Sequence, residues 1–111
     1  MIKANNMETF KQAVSEMMTI RNRRTRTSDK KIKITSTETD DNITVENLAF
    51  NFYVGIGPKR FGKFKEEVWS HKICYNKLAN TLTFENPTNT DGEEVNSCYD
   101  LGEKEATFVY F

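Results

Sequence analysis

The sequence predicts an α+β fold in which one N-terminal helix packs on a mainly antiparallel β-sheet of about five to seven strands built from hairpins. Three observations lead to this prediction. Apolar residues near the N-terminus follow helical spacing, and from Lys30 onward apolar and polar residues alternate with the period of a strand. Turn-forming residues separate the alternating segments at short intervals, which favours antiparallel hairpins over parallel units with crossover helices.

The length of 111 residues predicts a single domain over residues 1–111. Its composition, 37% hydrophobic and 29% charged with a net charge of zero, is that of a chain that folds. The nearly apolar stretch 48–56 is too short for a membrane-spanning helix, and residues 1–10 lack the apolar run of a secretory signal. We therefore expect a cytoplasmic protein with no membrane contact and with Cys74 and Cys98 reduced.

The first predicted element is a helix from about Asn6 to Arg24. Asn5 or Asn6 can cap it by accepting a hydrogen bond from a free backbone amide, and Glu8 suits the positive end of the helix dipole. The spacing of three and four residues places one stripe on a single face, comprising Met7, Phe10, Val14, Met17, Met18 and Arg21.

A first hairpin is predicted from the alternation of Ile32 and Ile34, the turn 39–42, and the returning pair Ile43 and Val45. The next alternating residues, from Leu48 to Val54, are out of phase with Val45. A bulge or bend near Glu46 must therefore reverse the direction of the side chains.

The segment 55–58 is interpreted as the strongest break in the chain, because Gly55 and Gly57 allow positive φ and Pro58 has no amide proton. Residues 59–68 fit either a short helix or a strand, and the window is too short for periodicity to decide between them.

Two further hairpins are predicted. The second runs from Trp69 to Phe84 around the turn 76–80, and a polar loop follows over 86–92. The third joins residues 95–101 to a closing strand, 106–111, through the turn 102–105. Residues 107–111 are apolar on both faces, which predicts either a covered central strand or an edge strand that pairs with a partner.

The zero net charge hides an alternation of sign along the chain. Residues 1–33 carry +6, residues 34–57 carry −4, residues 58–72 carry +3 and residues 73–111 carry −5. If the two basic segments share a face, they form a patch that steers polyanions or acidic proteins.

Motifs for catalysis or metal binding are incomplete. Residues 57–63 match the start of the phosphate-binding pattern G-x-x-x-x-G-K, but Phe64 replaces the required hydroxyl and no good helix follows. On a strand, His71 and Cys74 would face opposite sides, and adding Cys98 produces no paired-cysteine spacing. We expect no enzyme activity, no cofactor and no metal.

Basic residues are the candidate partner-binding residues. A helix end that bears Arg21, Arg23, Arg24 and Arg26 can dock phosphates or carboxylates, although cations at a helix C-terminus are also favoured by the dipole alone.

A second basic cluster is mixed with aromatic residues. Lys59, Arg60, Lys63 and Lys65 alternate with Phe61, Phe64 and Trp69, a mixture that binds single-stranded nucleic acid. The competing interpretation, which we favour, is that these aromatic residues anchor the segment to the core.

The sequence therefore predicts a small non-enzymatic protein-binding module that acts as an inhibitor or adaptor of another protein. A narrower hypothesis is a phage-type factor that targets host nucleic-acid or defence machinery, with a partner that is itself associated with nucleic acid. The alternative is a nucleic-acid-binding protein that uses the basic helix end and the basic, aromatic loop.

Overall fold

The computed structural model describes residues 2–24, 34–47 and 50–109. Together they form one N-terminal helix and nine strands, which confirms the predicted α+β class. The strands form two antiparallel sheets, whereas the sequence predicted one sheet of five to seven strands. The elements in chain order are β1 (Ile2–Ala4), α1 (Met7–Arg24), β2 (Thr35–Glu38), β3 (Asn42–Glu46), β4 (Phe52–Arg60), β5 (Lys63–Ser70), β6 (Lys72–Asn76), β7 (Thr81–Phe84), β8 (Cys98–Asp100) and β9 (Ala106–Val109).

The strand order is β1-β9-β4-β5 in the four-stranded sheet and β2-β3-β6-β7-β8 in the five-stranded sheet. The chain changes sheet four times among the described strands: after β1, through α1, and then after β3, after β5 and after β8. The hairpins β2–β3, β4–β5 and β6–β7 each stay within one sheet. This arrangement explains the reversal of side-chain direction that the sequence predicted near Glu46: β3 ends there, and β4 begins in the other sheet.

Both sheets and the helix contribute to one hydrophobic core. Phe10 connects all three, because its ring stacks on Tyr75 of β6 with centroids 4.9 Å apart and meets Phe108 of β9 edge-on at 5.7 Å. The predicted helix stripe is confirmed at Phe10, Val14 and Met17, which are buried. Met7 is 40% exposed, so the helix face turned to the core begins one turn later than the sequence predicted.

The helix begins with a reciprocal cap. The Asn6 side-chain oxygen accepts a hydrogen bond from the Thr9 amide at 2.9 Å, and the Thr9 hydroxyl accepts one from the Asn6 amide at 3.1 Å. Two amides that a helix N-terminus leaves without partners are thereby satisfied. The predicted cap at Asn6 is confirmed, and Thr9 completes it.

The first and second predicted hairpins are confirmed as β2–β3 and β6–β7. Residues 30–33, which the prediction included in the first, lie outside the described residues. Trp69 belongs to β5 of the four-stranded sheet, not to the second hairpin.

The third predicted hairpin is wrong. β8 pairs with β7 in one sheet, and β9 lies between β1 and β4 in the other. Of the two alternatives for the last strand, the structure therefore selects the central one. Ala106, Thr107 and Phe108 are all buried, as expected for a central strand.

Candidate docking site

The hairpin of β4 and β5 is the most distinctive feature of the described surface. Residues 59–68, which the sequence left open between helix and strand, are strand on both sides of a two-residue turn in which Arg60 pairs with Lys63. Phe61 and Gly62 have φ values of 54° and 78°, which is the pattern of a type I′ turn. Asn and Gly are the residues that such a turn prefers.

The segment 55–58, predicted as a break, instead lies inside β4. The pairing passes from Ile56 with Glu66 to Lys59 with Phe64, so β4 carries a bulge over Gly57 and Pro58. Gly57 supplies a φ of 83°, and Pro58 falls where the ladder needs no donor. β4 therefore continues through Gly57 and Pro58, although glycine and proline usually end a strand.

The end of this hairpin projects beyond its sheet. β9 pairs with β4 only from Tyr53 to Ile56, and the last backbone hydrogen bond to the rest of the protein joins the Gly57 amide to the Glu105 carbonyl at 2.9 Å. We call residues 58–65 the finger. At about 3.3 Å per residue, four residues carry its tip roughly 13 Å past that bond.

Phe61 stands at the tip of the finger and is fully exposed. Every other aromatic residue whose side chain the structure describes is buried or half-buried. The prediction that Phe61 anchors this segment to the core is therefore wrong. Phe61 and Gly62 form the centre of a tight turn, and no other described residue covers the Phe61 ring.

The four cations of the finger differ from the other described lysines. Lys59, Arg60, Lys63 and Lys65 are exposed, and none forms an ion pair within 4 Å among the described residues. Each remaining lysine with a described side chain has a carboxylate partner, as in Lys3 with Glu105, Lys11 with Glu38, Lys72 with Glu46, Lys77 with Glu38 and Lys104 with Glu66. The finger thus concentrates four cations that have no direct ion-pair partner among the described residues.

The base of the finger is braced by aromatic contacts. The Phe64 ring lies directly over Gly55, and the Lys59 ammonium lies 5.6 Å from the centre of that ring. Tyr53 meets Trp69 edge-on at 4.6 Å and the Phe64 ring at 6.4 Å. Phe64 therefore does anchor the hairpin, as the sequence predicted.

Trp69, a predicted partner-binding residue, is half-buried and lies in the sheet away from the finger. Its backbone exchanges hydrogen bonds of 2.8 and 3.0 Å with Thr88, which covers that stretch of the β5 edge. The position of Trp69 indicates a role in holding the loop 86–92 against the sheet.

Glu67 is the carboxylate beside the base of the finger. The Thr90 hydroxyl and then the Tyr53 hydroxyl donate to it, and these two groups, with Lys63, hold the pKa of Glu67 below its usual value. Burial and the Glu67 carboxylate raise the pKa of Tyr53 well above its ordinary value. At neutral pH, Glu67 is therefore ionised and Tyr53 is a neutral donor.

Two hollows flank the base of the finger, and their charges differ. The first, of about 350 Å³, is lined by Lys3, Gly57, Pro58, Lys59, Phe64 and Thr107. The second, of about 420 Å³, is lined by three carboxylates and two lysines, with Gly57 and Pro58 shared between the two hollows. Lys3 belongs to the basic segment 1–33 and Lys59 to the basic segment 58–72, so this hollow brings together one lysine from each.

The remaining predicted site residues are dispersed. Arg21, Arg23 and Arg24 lie in the last turns of α1, and Arg26 lies outside the described residues. His71 pairs with Glu85 at 3.9 Å. Among residues 2–24, 34–47 and 50–109 no group of three or more side chains could hold a metal ion.

Comparison with known families, with curated proteins and with solved structures found no match. The one described helix is not long and apolar enough to cross a membrane.

Proposed function

We propose that this protein is a non-enzymatic binding module whose finger inserts into a negatively charged cleft of a partner protein, and that it thereby acts as an inhibitor or adaptor. The observation that carries the proposal is the conformation and exposure of Phe61. A bulky residue in the left-handed region costs about 1–2 kcal/mol, and exposing its ring to water adds no compensating burial. Such strain is characteristic of functional positions.

The surroundings of Phe61 fit a protein interface. Aromatic residues and arginine dominate the residues that contribute most to binding energy, and Arg60 stands beside Phe61 at the tip. The cations of the finger, which have no direct ion-pair partner among the described residues, would speed association with an acidic protein surface and disfavour association with a basic one. A narrow, rigid projection with an apolar tip is suited to filling a cleft, and filling a cleft blocks it.

Nucleic-acid binding is the second candidate, favoured by the four unpaired cations. Binding of single strands usually uses several aromatic faces in succession. On this hairpin Tyr53, Phe64 and Trp69 pack against one another and are half-buried, which leaves one exposed ring. We therefore rank the protein partner first. A nucleic-acid-associated partner and a phage-type origin remain predictions of the sequence.

The test is capture from a lysate of the source cells with the tagged full chain, performed with and without nuclease. Phe61→Asn removes the ring but places a favoured residue in the turn, so it should fold at least as well as the natural chain. Leu78→Ser is the matched control, because Leu78 is also an exposed apolar residue but lies in the turn after β6.

One near-stoichiometric protein should survive nuclease treatment and bind the natural chain and Leu78→Ser, but not Phe61→Asn. A partner retained equally by Phe61→Asn contradicts the role of the tip. Partners that disappear with nuclease favour the nucleic-acid candidate.

A further inference from the structure

We infer that the acidic side of the partner's cleft faces the side of the finger that carries Lys59, and that the hollow lined by Lys3, Lys59 and Phe64 receives a glutamate side chain of the partner. This inference rests on the proposed function, since it identifies the chemistry and orientation of the partner at the same hairpin.

The first hollow combines an apolar floor with two ammonium groups. Phe64 and Pro58 provide the apolar surface, and Gly57 leaves open space because nothing lies within 4 Å of the position of a Cβ there. Lys59 has no carboxylate within ion-pair distance among the described residues, and Lys3 shares only Glu105 at 3.5 Å. The hollow therefore has both hydrophobic surface and unused positive charge.

The hollow on the other side of Gly57 and Pro58 has the opposite character. Its charged lining residues are Lys65, Glu66, Glu103, Lys104 and Glu105. Lys104 is already paired with Glu66 at 3.3 Å. An acidic partner surface would meet excess negative charge on this side, and like charges brought together oppose binding. The acidic partner is therefore directed to the side of Lys59.

Glutamate matches the first hollow better than other acidic groups. Its two methylene groups can lie on the Phe64 ring and Pro58, and its carboxylate can reach the ammonium groups of Lys3 and Lys59. Aspartate has a shorter stem. A phosphate group has no apolar stem to cover the floor and would depend on charge alone. Burial of the methylene groups adds a contribution that salt does not screen.

The experiment is a titration of the isotopically labelled full chain, followed by the amide NMR signals of Gly57 and Thr107. The probes are a blocked tetraglutamate peptide, a blocked tetraglutamine peptide and inorganic phosphate. Lys59→Glu and Lys65→Glu are matched variants, because both reverse one exposed lysine of the finger but Lys65 lines the acidic hollow. Lys59→Gln is a milder variant at the same position.

Tetraglutamate should shift the Gly57 and Thr107 signals, and tetraglutamine should not. Lys59→Glu should weaken tetraglutamate binding at least tenfold and Lys59→Gln less, whereas Lys65→Glu should change it less than twofold. Equal loss in Lys59→Glu and Lys65→Glu, equal shifts with tetraglutamine, or saturation by phosphate at a lower concentration than by tetraglutamate would overturn the assignment.

The titration separates this inference from the proposed function. Phe61→Asn should leave tetraglutamate binding within twofold, because Phe61 does not line the hollow. If the hollow binds tetraglutamate but capture from lysate does not depend on Phe61, the inference stands and the role of the tip fails. If capture depends on Phe61 but the hollow does not bind tetraglutamate, the inference alone is overturned.

Discussion

The ring of Phe64 occupies the space above Gly55 on the neighbouring strand, where any side chain on residue 55 would stand. Gly55 pairs with Glu67 on β5 and with Thr107 on β9, so it lies in the interior of the four-stranded sheet. A glycine normally weakens a strand interior. Here the neighbouring aromatic ring covers the backbone of Gly55 and fills the space that a side chain would take.

Gly55→Ala should therefore lower the free energy of unfolding by about 1–3 kcal/mol, the usual cost of forcing atoms into a packed site. Urea denaturation measures this change. In a Phe64→Ala background, the same Gly55→Ala substitution should be neutral or slightly stabilising, because the collision is gone and alanine suits a strand better than glycine. Equal effects of Gly55→Ala in both backgrounds would show that the ring is not the obstacle.

Phe61→Asn should raise the free energy of unfolding by about 1 kcal/mol, because it relieves a left-handed conformation that is unfavourable for phenylalanine but tolerated by asparagine. Thermal and urea unfolding of the two proteins measure the difference. Phe61→Ala is the control, since alanine removes the ring without favouring this backbone conformation. If alanine stabilises as much as asparagine, exposure of the ring and not backbone strain is the source of the effect.

Asn80 joins three parts of the fold. Its side-chain oxygen accepts a hydrogen bond from the Tyr75 hydroxyl at 2.5 Å, and its side-chain NH₂ group donates to the Asn5 carbonyl at 3.1 Å. Its backbone φ is 55°. Asn80→Ala should cost about 3 kcal/mol, since two hydrogen bonds are worth about 1 kcal/mol each and the left-handed backbone adds the remainder.

Two variants separate these contributions by urea denaturation. Asn80→Gly should be about 1 kcal/mol more stable than Asn80→Ala, because glycine accepts the backbone conformation. Tyr75→Phe should cost about 1 kcal/mol through the single lost hydrogen bond. If Asn80→Gly is as unstable as Asn80→Ala, the backbone conformation contributes nothing.

Glu38 should titrate below its usual pKa of 4.5, because the Lys77 ammonium first and the Lys11 ammonium second favour its charged form. Lys77 lies 2.8 Å from this carboxylate and Lys11 lies 3.1 Å from it. A carboxyl whose pKa is lower in the folded state stabilises the fold above the unfolded pKa, and this contribution is lost as the pH falls through the folded pKa.

The side-chain carbon signal of Glu38, followed by NMR against pH, measures this shift. Lys77→Gln should move the pKa of Glu38 upward, and Lys11→Gln should move it less. The stability difference between the natural chain and Lys77→Gln should be larger at pH 7 than at pH 3. A Glu38 titration that is unchanged by Lys77→Gln would contradict the assigned cause.

Cys74 and Cys98 should remain unlinked under mild oxidation of the folded monomer. Thr83 pairs with Cys74 on one side and with Cys98 on the other, so the cysteines lie two strands apart. At about 4.8 Å per strand their Cα atoms are roughly 9.6 Å apart, beyond the reach of a disulfide of about 7 Å.

Intact-mass measurement checks this prediction, because forming a disulfide removes two hydrogen atoms, as two protons and two electrons passed to the oxidant. Cys98 is exposed and Cys74 half-buried, so alkylation should reach Cys98 first. An oxidised monomer that unfolds with unchanged stability would show that the two strands are not held apart as described.

Much of the fold follows from short-range pattern. The spacing of Phe10, Val14 and Met17 predicted both the helix and its buried face. The alternation around residues 39–42 and 76–80 predicted two hairpins, since each turn is local and brings adjacent segments together. The mixture of basic and aromatic residues over 59–69 likewise predicts the cations of the finger as candidate binding residues.

The two wrong predictions, the third hairpin and the break at 55–58, both concern segments whose strand pairing decides their structure. Residues 95–101 and 106–109 alternate as a hairpin would, but their best partners are β7 on one side and β1 and β4 on the other. The segment 55–58 contains strong strand breakers, yet pairing with β5 on one side and with β9 up to Ile56 holds most of it in a bulged strand. β9 lies far outside the window that periodicity examines. β5 lies inside it, but the turn at Phe61 and Gly62 lacks the Asn or Asp that usually marks a type I′ turn.

By itself the sequence determined the class of the fold, the helix with its cap at Asn6, and the hairpins around the turns 39–42 and 76–80, because propensity, capping and well-marked turns act over a few residues. Tertiary structure alone decided the division into two sheets, the central place of β9 and the exposure of Phe61. Those properties depend on which distant segments pair with a residue or cover it. The sequence around Phe61 is the same whether its ring is exposed or buried, so the sequence pattern alone does not decide between the two.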